Sequence, residues 1–348
     1  MKFYVYNDNE IQLALKAIED KFHGKVIIDN GEVKTDKVSY NWISLGLSDL
    51  ISIMYPSGSL WNRKIHELLQ FPYSSLSNPE YFLVPVAILF GSSLSLKSKL
   101  VEFEEIILSE FLYRLPYYHY NKERHVFFII GDSYSGPNLL KDSILFRCSC
   151  HKNSNNYSLY FDVLLNRSFI QPIKDCVNLC AFTGCLDTHP LRRKLPKTFD
   201  NIKDNKIFDP TSKFFCHLPL ENQKIMQLKW TEALQTSKFI LCPRGCGLNS
   251  IRFFEALSFG RIPVLIADDA KLPLEDIIDY DDFVVKVPEL DICNSYEFIN
   301  KFNDTHDIEI SSIKALETWE RYFSDGKLIK YIELSLPENK NTINKILT

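Results

Sequence analysis

A glycine-rich loop that carries an arginine is the part of this 348-residue chain with the clearest potential for chemistry. The loop reads Pro243-Arg244-Gly245-Cys246-Gly247, and Asn249-Ser250, a pair suited to a helix start, follows it. The first N–H groups of a helix favour an anion, and an arginine matches a phosphate with two parallel hydrogen bonds. Small neighbours also let a ligand approach the backbone. The loop therefore predicts a diphosphate site formed by Arg244, Gly245, Asn249 and Ser250.

Each of these residues also has an ordinary structural interpretation. Arg244 could pair on the surface with Asp268 or Asp269. Asn249 and Ser250 could simply cap the following helix, which is a common use of both residue types. The sequence leaves both interpretations open beside the binding role.

Three further charged residues could complete a nucleotide site. Glu255 lies on the predicted helix after the loop, where its carboxylate could accept both hydroxyls of a ribose. Alternatively, it could form an i,i+3 surface pair with Arg252. Arg192 and Arg193 follow another predicted strand and could add positive charge beside a diphosphate, or they could belong to a solvated basic turn.

A second group of candidates lies in the first half of the chain. Asp132 follows a strongly apolar strand and could act as the general base toward an acceptor hydroxyl. It could equally cap the turn that begins there. The rings of Tyr117, Tyr118 and Tyr134 could stack on an acceptor sugar.

Two short patterns resemble metal-ligand spacings. Asp279-Tyr280-Asp281 has the Asp-x-Asp form that can hold a divalent cation, and Cys148-Ser149-Cys150 precedes His151. Short acidic matches are common in a chain with 44 acidic residues, and alternating cysteines on an apolar strand are ordinary packing. We therefore expect no metal site.

The elements that must position these residues alternate between strands and helices. Phe239–Cys242 is a predicted strand, the loop and a helix to about Phe259 follow, Gly260 ends the helix, and Ile262–Ala267 is the next strand. This is one unit of a parallel sheet with a crossover helix. The alternation covers both halves of the chain and restarts after a polar segment. We therefore predict an α/β fold of two Rossmann-like domains that face each other across a cleft.

The net charge, the apolar runs and the cysteines limit the classes of function that this chain can have. The formal net charge of -4 excludes a general affinity for nucleic acid or for an anionic membrane. The longest apolar run, Tyr81–Phe90, is too short to span a bilayer, and no secretory signal is visible at the start. With no signal, the nine cysteines are typical of reduced thiols. A cytoplasmic protein is expected.

The stretch Ser237–Leu274 resembles the exostosin-like glycosyltransferases of glycosyltransferase family 47. The shared motifs are Cys242-Pro243-Arg244-Gly245, then Ser250-x-Arg252-x-x-Glu255-Ala256, and then Ile262-Pro263-Val264 with Asp268-Asp269 ahead of Leu272-Pro273-Leu274. Weaker similarities continue through the chain in the family's order, at Leu115-Pro116-Tyr117, His125-Val126-Phe127-Phe128 and Leu191-Arg192.

This resemblance implies a GT-B fold, a UDP-sugar donor, inversion at the anomeric carbon and no required metal or other cofactor. Residues 1–172 would bind the acceptor, residues 173–318 would bind the nucleotide-sugar, and residues 319–348 would pack back toward the first domain. Arg244, Ser250 and Glu255 would hold the nucleotide, and Arg192 would support the diphosphate. The family's His-Asp pair is Gly131-Asp132 here, and the missing membrane anchor predicts a bacterial or viral enzyme.

We therefore expect an inverting glycosyltransferase that makes a glycan. The alternatives are a non-catalytic nucleotide- or glycan-binding protein on the same fold, and a different Rossmann enzyme such as a dehydrogenase. The glycine spacing at Gly245-Cys246-Gly247 is too short for the dinucleotide fingerprint, which disfavours the dehydrogenase.

Overall fold

The computed structural model describes most of the chain in two units. The described residues are 1–22, 26–29, 32–35, 52–54, 62–70, 78–89, 108–130, 138–161, 163, 165–211 and 220–337. Asp132 and Tyr134 lie outside them. The first unit comprises Met1–Leu159 with Leu328–Thr348, and the second comprises Tyr160–Lys327. The predicted boundary between residues 172 and 173 lies downstream of this division, and the roles predicted for the two domains stay predictions.

The first unit is built on one mixed sheet. Its strands are β1 (Phe3–Val5), β2 (Val26–Asp29), β3 (Glu32–Thr35), β4 (Ser52–Met54), β5 (Tyr81–Leu89), β6 (His125–Ile129), β7 (Ile144–Arg147) and β8 (Tyr157–Ser158). Its helices include α1 (Asp8–Phe22), α2 (Asn62–Leu69) and the C-terminal helix Leu328–Ser335, and residues 108–114 are also helical. The strand order is β2-β3-β4-β5-β6-β7-β8, with β1 paired to β5.

On one side of the first sheet, the strands do not pair in the parallel way that strand–helix alternation predicts. Strands β1, β5, β6, β7 and β8 pair in parallel, as alternation predicts. Strands β2, β3 and β4 instead pair antiparallel. Only Asn30-Gly31 separates β2 from β3, which is too short for a parallel crossover and is a strong two-residue hairpin signal.

The second unit has a fully parallel sheet. Its strands are β9 (Asn178–Cys185), β10 (Lys206–Thr211), β11 (Ser237–Pro243), β12 (Ile262–Ile266) and β13 (Val285–Lys286), in the order β10-β9-β11-β12-β13. Its helices are α3 (Leu195–Asp200), α4 (Leu220–Thr236), α5 (Ile251–Ser258), α6 (Ser295–Thr305) and α7 (Ile308–Thr318); we call the helix Leu328–Ser335 of the first unit α8. The predicted α/β class with two Rossmann-like units is confirmed.

The predicted strand–loop–helix–strand element is confirmed as β11, α5 and β12. Both strands are buried on both faces, with Phe239, Leu241 and Val264 inaccessible, as a parallel sheet covered by helices requires. Gly260 follows the end of helix α5, and its φ of +62° lies in the left-handed region that stops a helix. A Cβ there would lie 3.2 Å from the carbonyl oxygen of Ser312, so only glycine fits without displacing α7.

Within the described ranges, no helix combines the length and the apolar composition that a membrane crossing needs.

Candidate functional site

The second sheet has a topological switch point between β9 and β11. From β9 the chain crosses to β10 on one side and then returns to β11 on the other side. Loops that leave neighbouring strands in opposite directions open a crevice at the carboxyl edge of the sheet, where α/β proteins bind ligands. The loop after β9 carries Arg192, and the loop after β11 carries Arg244 and Gly245.

Arg192 ties these two loops together. A 3₁₀ turn over Pro190–Lys194 places its guanidinium beneath them. Nε donates to the carbonyl oxygen of Arg244 at 2.9 Å, Nη2 to that of Pro243 at 2.9 Å, and Nη1 to that of Cys185 at 3.1 Å. These bonds use three of the five donors of an arginine. Arg192 is thus first a brace of the crevice, and its predicted contact with a diphosphate stays a prediction.

Gly245 packs directly on this brace. A Cβ at Gly245 would lie 3.3 Å from Nη2 of Arg192 and 3.4 Å from the hydroxyl of Thr188. A larger residue would therefore require the guanidinium or the Thr188 side chain to shift by a few tenths of an ångström. The glycine has a packing reason that is independent of a ligand's approach.

Arg252 and Glu255 form an ion pair on α5, the alternative that the sequence left open, but the pair is buried. Their exposed fractions are 7% and 3%. Nε of Arg252 also donates to the carbonyl oxygen of Thr183 at 2.9 Å, and its guanidinium lies 3.7 Å from the ring centre of Trp230. Burial raises the pKa of the Glu255 carboxyl, against the opposing effect of Arg252.

The surroundings of Glu255 leave little room for a sugar. The cavity that it lines with Thr183, Trp230 and Arg252 measures about 10 Å³, a volume on the order of one water. In this placement the carboxylate is closed to a ribose. Its predicted contact with a ribose stays a prediction.

The crevice carries a surplus of buried positive charge. Burial, and after it the like charge of Arg252, lowers the pKa of Arg192 to about 10, so the Arg192 guanidinium is still charged at neutral pH. Glu255 is the buried carboxylate beside these two arginines. Two buried cations with one anion are poorly balanced in a medium of low polarity. An anionic ligand at this edge would relieve that imbalance.

Arg244 adds a third guanidinium at the mouth of the crevice. Its Nη1 lies 3.9 Å from Oε1 of Glu289, which follows β13. Oδ1 of Asp268 accepts a hydrogen bond from the backbone N–H of Glu289 at 3.0 Å, and this bond holds the acidic partner in place. Arg244 thus has an acidic partner in Glu289, which is itself bonded to Asp268, one of the two residues named in the surface-pair alternative.

Ser250 precedes the first residue of α5 and is 3% exposed. Its hydroxyl has no hydrogen-bond partner in the described part of the chain and makes no cap bond to the helix. A buried hydroxyl is costly when it stays unpaired. Its position therefore suits a hydrogen bond to a bound ligand. Asn249, beside it, is 9% exposed.

Arg193 points away from this cluster. It is 67% exposed and pairs with Asp187 at 3.2 Å, as the basic-turn alternative describes. A nucleotide role for Arg193 has no support in this placement.

Tyr117 and Tyr118 lie at the amino ends of β5 and β6, whereas α/β ligand sites form at the carboxyl ends. Tyr118 is 3% exposed, and its ring centre lies 5.1 Å from that of His125. Tyr117 stacks on Phe82 at 5.6 Å. These rings complete an aromatic cluster of the first unit, so their predicted stacking on an acceptor has no support in this placement.

The Asp-x-Asp pattern has a structural use. Oδ1 of Asp279 accepts from the backbone N–H of Asp281 and caps a 3₁₀ turn, while Asp281 pairs with Lys286 at 2.5 Å. Among the described residues, no group of three or more histidine, cysteine, aspartate or glutamate side chains is arranged to hold a metal ion. Independence from a metal stays a prediction.

Sequence reasoning identified Arg244, Ser250 and Gly245 but missed two members of the site. Arg252 was considered only as the surface partner of Glu255, although it lies in the Ser250-x-Arg252-x-x-Glu255 motif. Glu289 carries no local signal, because β13 alone brings it to the same edge as Arg244.

A parallel sheet with a basic crevice at its switch point is an arrangement that α/β proteins use to bind ligands. The chain belongs to the exostosin GT47 family of glycosyltransferases, since the Exostosin GT47 domain matches residues 92–302, more than half of the chain. This membership agrees with the GT-B class that the sequence predicts.

Individual related proteins match a shorter part of this chain than the family domain does. The "Probable beta-1,4-xylosyltransferase IRX10L" of Arabidopsis thaliana is 37% identical over 94 residues, 27% of this chain and 20% of that protein. The "Probable glucuronosyltransferase Os01g0926600" of Oryza sativa subsp. japonica is 39% identical over 94 residues, which are likewise 27% of this chain and 20% of that protein. The matched segment thus spans about a fifth of the length of these curated relatives.

Among solved structures, the crystal structure of TarM aligns with a TM-score of 0.34 and 13% identity, over 66% of this chain and 58% of that one. A likeness at this level supports no further conclusion.

The bracing role of Arg192 predicts that its substitution lowers the stability of the protein more than the substitution of the adjacent Arg193 does. Arg192→Lys replaces a planar fork by a single ammonium, which cannot reach all three carbonyl oxygens. We expect a loss of about 2–3 kcal/mol in the free energy of unfolding, because buried acceptors lose their partners. Urea unfolding followed by circular dichroism measures it.

Arg193→Lys is the matched control, and its exposed side chain predicts a change within about 0.5 kcal/mol. Equal stability of the two variants would contradict the bracing role of Arg192.

Proposed function

We propose that this chain is an inverting glycosyltransferase that moves a sugar from a UDP-sugar to a hydroxyl of a glycan acceptor. The observation that carries the proposal is the surplus of buried positive charge where β9 and β11 end. Two guanidiniums lie there, and Ser250, whose buried hydroxyl has no partner in the described part of the chain, precedes the first residue of α5. A nucleoside diphosphate supplies the negative charge that this arrangement lacks.

In the proposed reaction the acceptor hydroxyl oxygen forms a bond to the anomeric carbon of the donor. The bond between that carbon and the diphosphate oxygen breaks, and UDP leaves with the bonding electron pair. The hydroxyl proton passes to a base, for which Asp132 stays the predicted candidate outside the described residues. Arg244 and the N–H groups at the start of α5 stabilise the charge that develops on the leaving diphosphate, and the buried positive charge of Arg252 adds to the favourable field there without a direct contact, so no metal is required.

The donor sugar is proposed from the relatives. Their names refer to xylosyl and glucuronosyl transfer, so UDP-xylose and UDP-glucuronate are the first donors to test. The first unit would bind the acceptor. A cytoplasmic location stays a prediction.

A non-catalytic binding protein is the second candidate, and the buried ion pair of Arg252 and Glu255 is compatible with it because such a pair can be purely structural. Turnover separates the two candidates. Release of UDP from either donor in the presence of an acceptor supports the enzyme, whereas UDP binding without turnover on any donor supports the binding protein.

Arg244→Ala tests the catalytic role of the loop. We expect turnover to fall by about a hundredfold or more, the usual effect of removing one group that stabilises transition-state charge. UDP release from UDP-xylose or UDP-glucuronate measures it, and thermal unfolding shows that the fold persists. Arg193→Ala, next to the brace but exposed, should retain the turnover of the wild type, and a similar turnover in Arg244→Ala would refute the assignment.

Cys246 offers a direct probe of nucleotide binding. It lies in the Arg244 loop and is exposed, whereas Cys293 is half-buried and the other six described cysteines are buried. UDP at ten times its Kd should slow the alkylation of Cys246 by N-ethylmaleimide about tenfold, by mass action on the free form. Mass spectrometry of the labelled peptides measures both sites. Cys293 serves as the control, and an unchanged rate at Cys246 would place the nucleotide elsewhere.

A further inference from the structure

The second unit has another concave surface that shares no residue with the basic crevice. It is a cavity of about 540 Å³, formed by the segment before β13, by α7 and by the turn after α7. Small-molecule sites commonly measure about 300–1,000 Å³. We call it the α7 cavity; its polar lining includes Asp282, Lys314, Glu317, Arg321 and Tyr322.

A π-helical turn shapes one wall of the α7 cavity. It covers Trp319–Phe323, and the N–H of Ser324 donates to the carbonyl oxygen of Trp319, five residues earlier, at 2.9 Å. Trp319 and Phe323 are buried, while Arg321 and Tyr322 line the cavity. Single π turns are rare and recur at functional sites. Here the wider turn places two consecutive large side chains along the same opening.

The lining mixes hydrogen-bond donors, acceptors and a ring. Asp282 pairs with Lys314 at 2.6 Å, and the guanidinium of Arg321 lies 5.3 Å from the ring centre of Tyr322. Within the described residues, the carboxylate of Glu317 makes no ion pair and no hydrogen bond. It therefore remains available to a ligand.

This chemistry favours an uncharged polyol. Each hydroxyl of a sugar both donates and accepts, so it can bond to a carboxylate and to a cation at once, and the half-buried Tyr322 adds a ring with an apolar face. The lining carries four carboxylates, Asp279, Asp282, Glu317 and Glu320, against Lys314 and Arg321, and Glu320 also pairs with Arg167, so carboxylates exceed cations by one. This excess of negative charge disfavours a nucleotide or another anion.

We propose that the α7 cavity is a binding site for a neutral oligosaccharide, separate from the nucleotide site. The inference rests on the proposed function only in that a glycosyltransferase encounters glycan chains. A second contact with the growing chain would hold it near the enzyme between transfers.

The test measures the binding of xylohexaose, with cellohexaose as a second neutral probe, by calorimetry and by saturation-transfer NMR on the full chain. Glu317→Gln and Tyr322→Ala should each weaken binding about fivefold, the effect of losing one exposed polar or ring contact. Glu309→Gln is the matched control, because Glu309 is also an exposed glutamate on α7 but does not line the cavity. It should bind as the wild type does.

Failure to bind either probe would overturn the inference, as would equal binding by Glu317→Gln, Tyr322→Ala and the wild type. UDP binding, measured in parallel, should be the same in all four proteins, and it also reports that each variant is folded. If xylohexaose behaves as expected while UDP does not bind the wild type, the α7 cavity stands and the proposed function fails.

Discussion

The candidate site depends on one side chain, Arg192, and on the three backbone carbonyls that it holds. Its bonds to Cys185, Pro243 and Arg244 join the loops after β9 and β11, which leave the sheet in opposite directions. Without this donor, the carbonyl groups of Pro243 and Arg244 would lose a side-chain partner at the edge of the sheet, while that of Cys185 would keep only the hydroxyl of Thr188 at 3.3 Å. The brace satisfies them and at the same time fixes the position from which Arg244 faces the crevice. Gly245 follows from the same constraint, because a Cβ there would lie only 3.3 Å from the guanidinium.

The same constraint creates the positive charge on which the proposed function of the crevice depends. A guanidinium that bonds only to neutral carbonyls brings its full positive charge into the protein, and Arg252 brings a second one. The carboxylate of Glu255 offsets one of these two positive charges, and burial opposes its ionisation by raising its pKa. The free protein thus keeps a buried electrostatic imbalance, which costs stability until an anion binds. Binding energy from a diphosphate is therefore concentrated at the leaving group of the proposed reaction, where it lowers a barrier.

Local patterns in the sequence predicted β11, α5, β12 and the stop at Gly260, because each is determined by neighbours within a few residues. The role of Arg192 was beyond such reasoning, since its partners lie up to 52 residues away in the chain. The i,i+3 pair on α5 was foreseen as an alternative, but its burial depends on Trp230 and Thr183 from other elements. The antiparallel edge of the first sheet was missed although Asn30-Gly31 signals a hairpin. Stacking of Tyr117 and Tyr118 on an acceptor was predicted from their residue type alone, which does not show that they pack at the amino ends of β5 and β6.

The central claim is that buried positive charge at the switch point binds a diphosphate, and a comparison of UDP with uridine tests it most directly. Calorimetry on the wild-type protein at low ionic strength gives both dissociation constants. The account predicts that UDP binds about a hundredfold or more tightly than uridine, since each charge-assisted hydrogen bond contributes about 1.5–3 kcal/mol. Equal affinities for UDP and uridine would contradict the account, because they would show that the guanidiniums do not contact the phosphates.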